Sequence, residues 1–268
     1  MKKILAFGAL LPAAVLTSCS ININGIGTDA DFKFTDKNSE NVRIETDGID
    51  KIDVKVDVGQ CKVSYGESET ADITGNYTVH GLNEKKVSAA LENIKLTHEI
   101  KGDTLYVKVQ TPNGSKNFIN YTTDLEIILP TSFSDFKISS DVGDIELDGL
   151  SGNFDISADV GEIDLDSLSG NFDITADVGD IDADNITLTG DSKIEADVGN
   201  IDVSLTETAE CELEIIADVG DIDVDTNGLD YTEIDKSEDY TGEKVKLVIN
   251  DKCSAELKAD VGNIKIKK

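Results

Sequence analysis

Carboxylate side chains recur at fixed spacing through residues 136–268, and they are the groups in this sequence best suited to binding a ligand. The motif Asp-Val-Gly begins at Asp141 and recurs after steps of 18, 18, 20, 21 and 42 residues. If the copies stack, equivalent carboxylates lie about 4.8 Å apart and repel by about 0.9 kcal/mol in water. A bound Ca²⁺ ion, which accepts several carboxylate oxygens, would offset this repulsion. The candidate Ca²⁺ ligands are Asp141, Asp144, Asp159, Glu162, Asp177, Asp180, Asp197, Asp218 and Asp221.

Solvated carboxylates are the alternative interpretation of the same columns. In that case the side chains splay into water, and the Asp that begins each motif accepts hydrogen bonds from N–H groups of the turn. The repeats also lack the Gly-Gly-x-Gly-x-Asp pattern of calcium-loaded β-rolls. The sequence leaves both interpretations open. A third acidic column, two residues beyond the second, contains Glu146, Asp164, Asp182, Asp202 and Asp223.

Short strands are the elements that would position these carboxylates. In most copies the third and fifth residues before the motif are apolar, as Ile156 and Phe154 are before Asp159, and they alternate with polar residues. This period of two predicts a strand with one buried face. We expect the Val of each motif to point inward as well, which makes the following Gly the corner between two strands.

A repeat of about 20 residues with two short strands predicts stacked coils that share one core. The expected fold class is therefore all-β: a parallel β-solenoid (β-helix) formed by a single chain, with coils of about 18–21 residues. A degraded copy that begins at Asp239 is expected to form a further coil between the copies at Asp218 and Asp260. An α/β solenoid is the competing architecture, but no repeat contains the helical periodicity that it requires.

The region before the repeats is predicted to be strand-rich, with one short helix. Residues 41–66 contain a first copy of the coil, with its corner at Gly59. Residues 84–94 have apolar side chains at helical spacing, and residues 95–100 and 104–110 are predicted to form a hairpin. The chain then divides into a lipoprotein signal peptide at 1–18, a flexible tether at 19–40, a β-rich part with the first coil at 41–135, and the repeat solenoid at 136–268.

The order of these elements resembles a bacterial putative-adhesin family of unknown function. The resemblance rests on the first coil, the run LEIILP at 125–130, and the repeats from FKISSDVGDIEL at 136–147 onward. It implies a β-solenoid on an extracytoplasmic lipoprotein or membrane-anchored protein, with a surface role in adhesion or envelope-stress signalling. It implies no catalytic residue.

The N-terminus has the features of a lipoprotein signal. Lys2 and Lys3 form a basic start, residues 4–16 are apolar but too few to span a bilayer, and Leu-Thr-Ser-Cys follows at 16–19. This run looks like the bacterial lipobox, so Cys19 is the predicted lipidation site and membrane anchor. An ordinary secretory signal is the alternative. We therefore expect an extracytoplasmic protein, lipid-anchored to a bacterial membrane or the cell surface.

The remaining cysteines are expected to be free thiols. Cys61 takes an apolar position in the first coil and is predicted to be a small core residue. Cys211 and Cys253 share a column, but in chain order they lie two rungs apart. Stacking alone would then separate their Cα atoms by about 9.6 Å, which is beyond disulfide reach.

Lysines replace carboxylates in the first and last copies. Because those copies would lie at the two ends of the stack, the lysines are predicted to protect exposed strand edges from association. A basic docking site is the alternative. The lysines concerned are Lys55, Lys62, Lys258, Lys265 and Lys267.

Charge and motif content argue against several classes of function. The net charge is −30, with 54 acidic against 24 basic residues, which argues against nucleic-acid binding because phosphate contacts need basic surfaces. The sequence has no nucleophile triad, phosphate loop or metalloprotease helix. We expect a non-enzymatic cell-surface lipoprotein of adhesin type whose ligand is an envelope protein or a glycan. The alternatives are an envelope-stress sensor or scaffold that binds cations or a membrane partner and, less favoured, a polysaccharide-active β-helix enzyme.

The lipobox generates the first testable prediction. Cys19→Ala removes the thiol that would receive the lipid, so the variant is expected to incorporate no labelled fatty acid and to leave the membrane fraction. Metabolic labelling followed by fractionation measures both effects, with Cys61→Ala as a control that keeps the lipidation site. Labelling of Cys19→Ala at the wild-type level would contradict the anchor.

Overall fold

The computed structural model describes residues 32–111, 119–206, 211–229, 231–238, 242–249 and 252–268. Within these ranges the chain forms 21 strands and one α-helix. The predicted all-β class with one short helix is therefore confirmed. The predicted signal peptide, Cys19 and residues 20–31 of the predicted tether lie outside the described residues.

The elements follow the apolar periodicity of the sequence. The helix α1 spans Glu84–Leu91. The strands, in chain order from β1 to β21, are Phe34–Glu45, Lys51–Val58, Cys61–Tyr65, Thr70–Gly81, Lys95–Lys101, Thr104–Gln110, Ile119–Leu129, Asp135–Val142, Ile145–Asp148, Ser151–Val160, Ile163–Asp166, Ser169–Val178, Ile181–Leu188, Ser192–Val198, Ile201–Leu205, Cys211–Val219, Ile222–Val224, Glu233–Glu238, Glu243–Val248, Cys253–Val261 and Ile264–Lys267.

The strands pair into two long sheets, and each repeat contributes one strand to each of them. The first sheet has the order β5-β6-β2-β8-β10-β12-β14-β20-β16-β19-β18. The second has the order β1-β4-β7-β3-β9-β11-β13-β15-β21-β17. We call the two strands of one coil a rung. The rungs are stacked in parallel, as the predicted β-solenoid requires, in the order β2/β3, β8/β9, β10/β11, β12/β13, β14/β15, β20/β21 and β16/β17.

The spatial order of the rungs differs from the order along the chain. The last rung, β20/β21, lies between β14/β15 and β16/β17. The degraded copy supplies β19, which pairs antiparallel with β16 and with β18 instead of forming a parallel coil. The prediction of a further coil in this segment is therefore wrong. The hairpin β18–β19 covers the outer edge of β16, so the following strand must enter the stack on the other side of β16.

This insertion brings Cys211 next to Cys253, and the two form a disulfide bond. Their Cα atoms are 4.6 Å apart, and they are direct partners in the register of β16 and β20. The prediction of free thiols at these two positions is wrong because it assumed that rungs stack in chain order. The prediction for Cys61 is confirmed: it is a buried free thiol, and burial raises its pKa to about 12.

The lysines of the last repeat are also in the interior of the stack, and those of the first copy, Lys55 and Lys62, lie on strands with a neighbour on each side. The prediction that these lysines guard terminal edges is therefore wrong. Lys258 Nζ lies 3.4 Å from a carboxylate oxygen of Asp218 on the adjoining rung. Lys267 Nζ lies 3.0 Å from Asp202 and 3.6 Å from Asp184. The inserted rung therefore places cations between carboxylates that would otherwise face one another.

The valine of each motif points outward, which corrects the prediction that it points inward. Val160 is 47% exposed, whereas the small residue two positions earlier, Ala158, is buried. The next inward residue, Ile163, lies five positions after Ala158 and three after Val160. Both spacings are odd, so the period of two is broken once whether Ala158 or Val160 points inward. Periodicity alone therefore did not determine which of the two residues is buried. The alanine takes the inward position where the two strands of a rung meet.

Glycine is required at the corner by close backbone approach. A Cβ atom on Gly179, whose φ is +156°, would lie 1.8 Å from the carbonyl oxygen of Gly161 on the neighbouring rung. In turn, the Gly161 N–H donates to the carbonyl of Val178 at 3.0 Å. The hydrogen bond and the missing side chain together hold adjacent corners in register.

The region before the repeats is continuous with the solenoid. β2 pairs with β8, β3 pairs with β9, and their buried side chains belong to the same hydrophobic cluster as the repeats. Residues 41–135 and 136–268 therefore share their sheets and their core. The predicted hairpin is confirmed as β5 and β6, which pair antiparallel.

The predicted helix is confirmed at Glu84–Leu91. The side chain of Asn83 caps it by accepting a hydrogen bond from the Lys86 N–H at 3.2 Å. Val87 and Leu91 are buried on the side that packs against β1 and β4.

The predicted tether is too long, because β1 begins at Phe34 and pairs with β4 along its whole length. Polar contacts hold this strand, which explains why it has no clear apolar period. Asp36 is buried and accepts a hydrogen bond from Ser88 Oγ at 3.0 Å. Glu40 accepts hydrogen bonds from the Tyr77 hydroxyl at 3.0 Å and the Leu96 N–H at 2.8 Å.

The corner glycines generate the second prediction. Gly179→Ala is expected to destabilise the protein by more than about 3 kcal/mol, because the added Cβ overlaps a backbone carbonyl and φ is positive. Gly149→Ala is the matched control, since Gly149 has φ +67° but nothing within 4 Å of an added Cβ. It is expected to cost about 1 kcal/mol. Chemical denaturation measures both changes, and equal losses would contradict the close approach at the corner.

Candidate functional site

Three neighbouring carboxylates form the acidic cluster best placed to hold a cation. Asp164 on β11 and Asp182 on β13 are direct partners in the second sheet, and Glu162 immediately precedes β11. One oxygen from each of the three lies within 4.8 Å of the others. Glu162 belongs to the predicted set of Ca²⁺ ligands, whereas Asp164 and Asp182 come from the third acidic column.

The environment of this cluster disfavours full ionisation. The charge of Asp164, followed by burial, raises the pKa of Glu162. Burial, followed by the charge of Asp182, raises the pKa of Asp164. A cation would relieve this repulsion, and three carboxylates could supply part of the six to eight oxygens that Ca²⁺ accepts, with water supplying the rest.

The second acidic column has a structural role. Asp144 Oδ1 accepts a hydrogen bond from the Glu162 N–H at 3.0 Å, one rung away. Asp180 Oδ1 accepts one from the Asn200 N–H at 2.7 Å, and Asn200 Oδ1 accepts one from the Asn263 N–H at 3.0 Å. An acceptor oxygen is sufficient for this contact, so Asp and Asn are equivalent here. The proposed capping by side chains therefore exists, but in the second column.

The first acidic column is neutralised at its ends. Asp141 lies 3.4 Å from Lys55 Nζ, and Asp218 lies 3.4 Å from Lys258 Nζ. Asp260, on the inserted rung next to Asp218, is also paired with Lys258. Among the described residues, no cationic side chain lies within ion-pair distance of the other three carboxylates between Asp141 and Asp218, which are Asp159, Asp177 and Asp197. The structure thus places one predicted ligand, Glu162, in the three-carboxylate cluster, and the metal site stays a prediction.

A cleft on the outer face of the first sheet is a second candidate site. It has a volume of about 490 Å³ and crosses the neighbouring strands β6, β2, β8, β10 and β12 near their N-terminal ends. Tyr106, on β6, stands at one side and is 37% exposed. A second depression of about 320 Å³ shares Tyr106 and Asp53 with the cleft.

The polar side chains of the cleft are held by contacts between rungs. Asn153 Nδ2 donates to Asp135 Oδ1 at 2.7 Å, and Asn171 Nδ2 donates to Asn153 Oδ1 at 3.0 Å. Lys137 forms an ion pair with Asp155, which raises the pKa of the lysine. The cleft therefore presents fixed amide and carboxylate groups beside an aromatic ring.

The cleft was not predicted from the sequence, although one signal of it was present. In the run TLYVKVQ, at 104–110, Leu105 and Val107 alternate with Tyr106. The sequence pattern therefore predicts an outward-facing aromatic residue on this strand. Its position beside β2, β8 and β10 was not, because β6 joins the stack through a pairing across more than 50 residues.

The fold and these surfaces define the class of protein: a repeat β-solenoid with polar, acidic faces and a lateral cleft. The chain belongs to the Toastrack DUF4097 family, whose sequence model matches residues 17–267. No curated protein matches the sequence. Within the described residues, no helix is long and apolar enough to cross a membrane.

Several solved structures are similar to this chain at low sequence identity. One is a putative cell adhesion protein from Clostridium sporogenes ATCC 15579, with 18% identity, a TM-score of 0.46, and coverage of 86% of this chain and 99% of that one. Another is a putative adhesin from Bacteroides fragilis NCTC 9343, with 14% identity, a TM-score of 0.45, and coverage of 85% and 96%. A third is a putative lipid binding protein from Parabacteroides distasonis ATCC 8503, with 12% identity, a TM-score of 0.31, and coverage of 85% and 97%.

The acidic cluster generates the third prediction. Because the pKa of Asp164 is raised on folding, the native state binds more protons than the unfolded state above the ordinary carboxyl value of about 3.9. The free energy of unfolding then falls as the pH rises from this ordinary value through the raised pKa of Asp164 in the folded protein. Asp164→Asn removes this loss, so the variant is expected to melt higher than wild type at pH 7 and to lose less stability between pH 4 and pH 7.

Ca²⁺ provides the second arm of the same melting experiment. Millimolar Ca²⁺ is expected to raise the wild-type melting temperature more than NaCl of equal ionic strength, because binding adds to screening. Asp164→Asn should reduce the Ca²⁺-specific part, whereas Asp166→Asn, on the same strand but outside the cluster, should retain it. Equal shifts in Ca²⁺ and NaCl would remove the metal site from consideration.

Proposed function

We propose that this chain is a lipid-anchored, extracytoplasmic, non-enzymatic protein of the adhesin type that binds a glycan. The observation that supports the proposal most is the lateral cleft, where Tyr106 stands beside amides and carboxylates fixed in position. A volume of about 490 Å³ lies within the usual range for small-ligand sites, about 300–1,000 Å³.

The chemistry of the cleft matches that of a sugar ring. Lys101 Nζ lies over the Tyr106 ring, 5.2 Å from its centroid, so a ligand would pack on the other face of the ring. A pyranose has an apolar C–H face suited to that packing, and hydroxyl groups that need donors and acceptors. Asn153, Asp155 and Asp173 line the cleft and supply such groups. Because the protein has a net charge of −30, it repels polyanions, which favours neutral or amino-sugar glycans.

The contacts of two cleft carboxylates favour binding without turnover. Glycoside hydrolysis requires one carboxylic acid that donates a proton and a second carboxylate opposite it. In the cleft, Asp155 is paired with Lys137, and Asp135 accepts from Asn153 and lies 3.8 Å from Lys51 Nζ. Both carboxylates are engaged by neighbouring side chains, which favours a binding role for them.

The anchor at Cys19 would keep this cleft near the membrane. Fourteen residues separate Cys19 from Phe34, where β1 begins, and they could span at most about 50 Å. Such a reach suits a protein that holds a wall or surface glycan close to the bilayer.

A cation-responsive sensor or scaffold is the second candidate function. It is favoured by the cluster of Glu162, Asp164 and Asp182, where carboxylate repulsion would be relieved by a bound cation. The melting experiment in Ca²⁺ and NaCl addresses this alternative directly.

The fourth prediction tests the glycan proposal. The full-length lipoprotein in nanodiscs of neutral lipid is expected to bind a subset of neutral or amino-sugar glycans on an array. Tyr106→Ala should weaken that binding by on the order of tenfold, since it removes the ring on which the sugar packs. Tyr231→Ala is the matched control, because Tyr231 is similarly exposed, at 40%, and does not line the cleft.

Two outcomes would contradict the proposal. One is the absence of binding to any glycan of bacterial walls or host surfaces on the array. The other is equal loss of binding in Tyr106→Ala and Tyr231→Ala. Release of reducing sugar from a bound glycan would instead favour the enzyme.

A further inference from the structure

Six exposed valines form a straight apolar line along one corner of the solenoid. Each is 47–51% exposed, and each is the register partner of the valine on the next rung. At the spacing of parallel strands the line is about 24 Å long. We call it the valine stripe, and its members in spatial order are Val142, Val160, Val178, Val198, Val261 and Val219.

The stripe has a fixed geometry. Each valine carbonyl accepts a hydrogen bond from the corner glycine of the preceding rung, for example from the Gly143 N–H to Val160 at 2.8 Å and from the Gly179 N–H to Val198 at 3.0 Å. An incoming partner would therefore meet a preformed surface and would not need to order a loop.

Valine is uniform at this exposed position although other exposed positions vary. In the same strands, the register partners of Lys137 are Asp155 and then Asp173, followed by Lys193. Exposure alone therefore does not dictate one residue type in these repeats. All six exposed corner positions nevertheless carry an apolar residue where a polar side chain could be solvated. Contiguous exposed apolar surface of this kind is typical of interaction sites.

Carboxylates border the stripe on both sides. The Asp before each valine belongs to the first acidic column, and the residue after each corner glycine belongs to the second, where Asp144, Glu162, Asp180 and Asp221 are acidic. In the middle of the stripe, Asp159 and Asp177 are exposed and have no cation at ion-pair distance among the described residues. The surface is thus an apolar line between two negative borders.

We propose that the valine stripe docks a cationic amphipathic helix of another envelope protein. The complementary surface is a narrow apolar seam with Lys or Arg on both sides, so that apolar residues cover the valines and the cations meet the carboxylate borders. A helix of about 16 residues has the length of the stripe, since each residue advances about 1.5 Å. Such helix-to-surface docking combines apolar burial with electrostatic steering.

The charge of the borders argues against the other occupants. A second copy of this chain would bring carboxylate columns against carboxylate columns, and an anionic membrane surface would be repelled in the same way. A polycation without apolar residues would leave the valines exposed. Unlike these three occupants, the amphipathic cationic helix satisfies both features of the surface.

The experiment uses the full-length protein in nanodiscs of neutral lipid, with empty nanodiscs as the blank. The probe is a 16-residue peptide that carries one leucine seam flanked by lysines, and its control is a peptide of the same composition with the leucines scattered around the helix. The seamed peptide is expected to bind about tenfold more tightly than the scattered one. Its affinity should fall with added NaCl.

Matched protein variants locate the binding to the stripe. Val160→Thr combined with Val178→Thr keeps the shape of the surface but removes apolar area, and is expected to weaken binding at least about fivefold. Leu82→Thr is the control, because Leu82 is an exposed apolar residue, at 42%, away from the stripe. Asp159→Asn combined with Asp177→Asn should weaken binding and reduce its dependence on salt.

Each of three results would overturn the proposal. Equal affinity for the seamed and scattered peptides would mean that the surface acts only as a polyanion. Unchanged affinity in the double valine variant would place the peptide elsewhere. Cross-linked dimers between nanodiscs that disappear in the valine variant would show that a second copy of this chain covers the stripe.

Discussion

The backbone contact between successive corners is the constraint on which the rest of the structure depends. Each corner glycine lies so close to the preceding rung that an added Cβ would overlap a carbonyl, as at Gly179 and Gly161. The contact fixes the rungs in register, and register in turn places equal residue types above one another. The buried phenylalanines stack for this reason, with ring centroids of Phe154 and Phe172 5.0 Å apart. The same register produces the acidic columns and the valine stripe on the outer surface.

Stacking equal residues is favourable for apolar side chains and unfavourable for charges, so the solenoid must limit the repulsion that its register creates. Three devices are visible. The second column turns its oxygens towards backbone N–H groups, as Asp180 does towards Asn200. The inserted rung β20/β21 places Lys258 and Lys267 between acidic neighbours. Where neither device operates, at Glu162 and Asp164, the pKa values of the carboxyl groups are raised.

The sequence predicted those features that local periodicity determines. The strands, the helix at Glu84–Leu91 and the parallel coils all follow from apolar spacing within a few residues. Periodicity did not determine the direction of Val160, because an odd spacing to Ile163 is shared by Val160 and Ala158. It also did not determine that β20 enters between β14 and β16, because the order of rungs depends on pairing across distant parts of the chain. The disulfide between Cys211 and Cys253 and the cleft beside Tyr106 depend on such pairings, so both were missed.

The distribution of charge separates the surfaces by the kind of ligand that each can hold. On the outer face of the first sheet, Lys51 and Lys137 lie among the aspartates of the cleft and offset part of their charge. A neutral ligand can bind there without competing against a strong field. At the corner and on the second sheet the carboxylates around Glu162 and Asp177 are not offset in this way, and the potential there favours cations. A single register therefore produces both a cleft in which lysines offset part of the acidic charge and an apolar line bordered by carboxylates, which is why the two proposed ligands differ in charge.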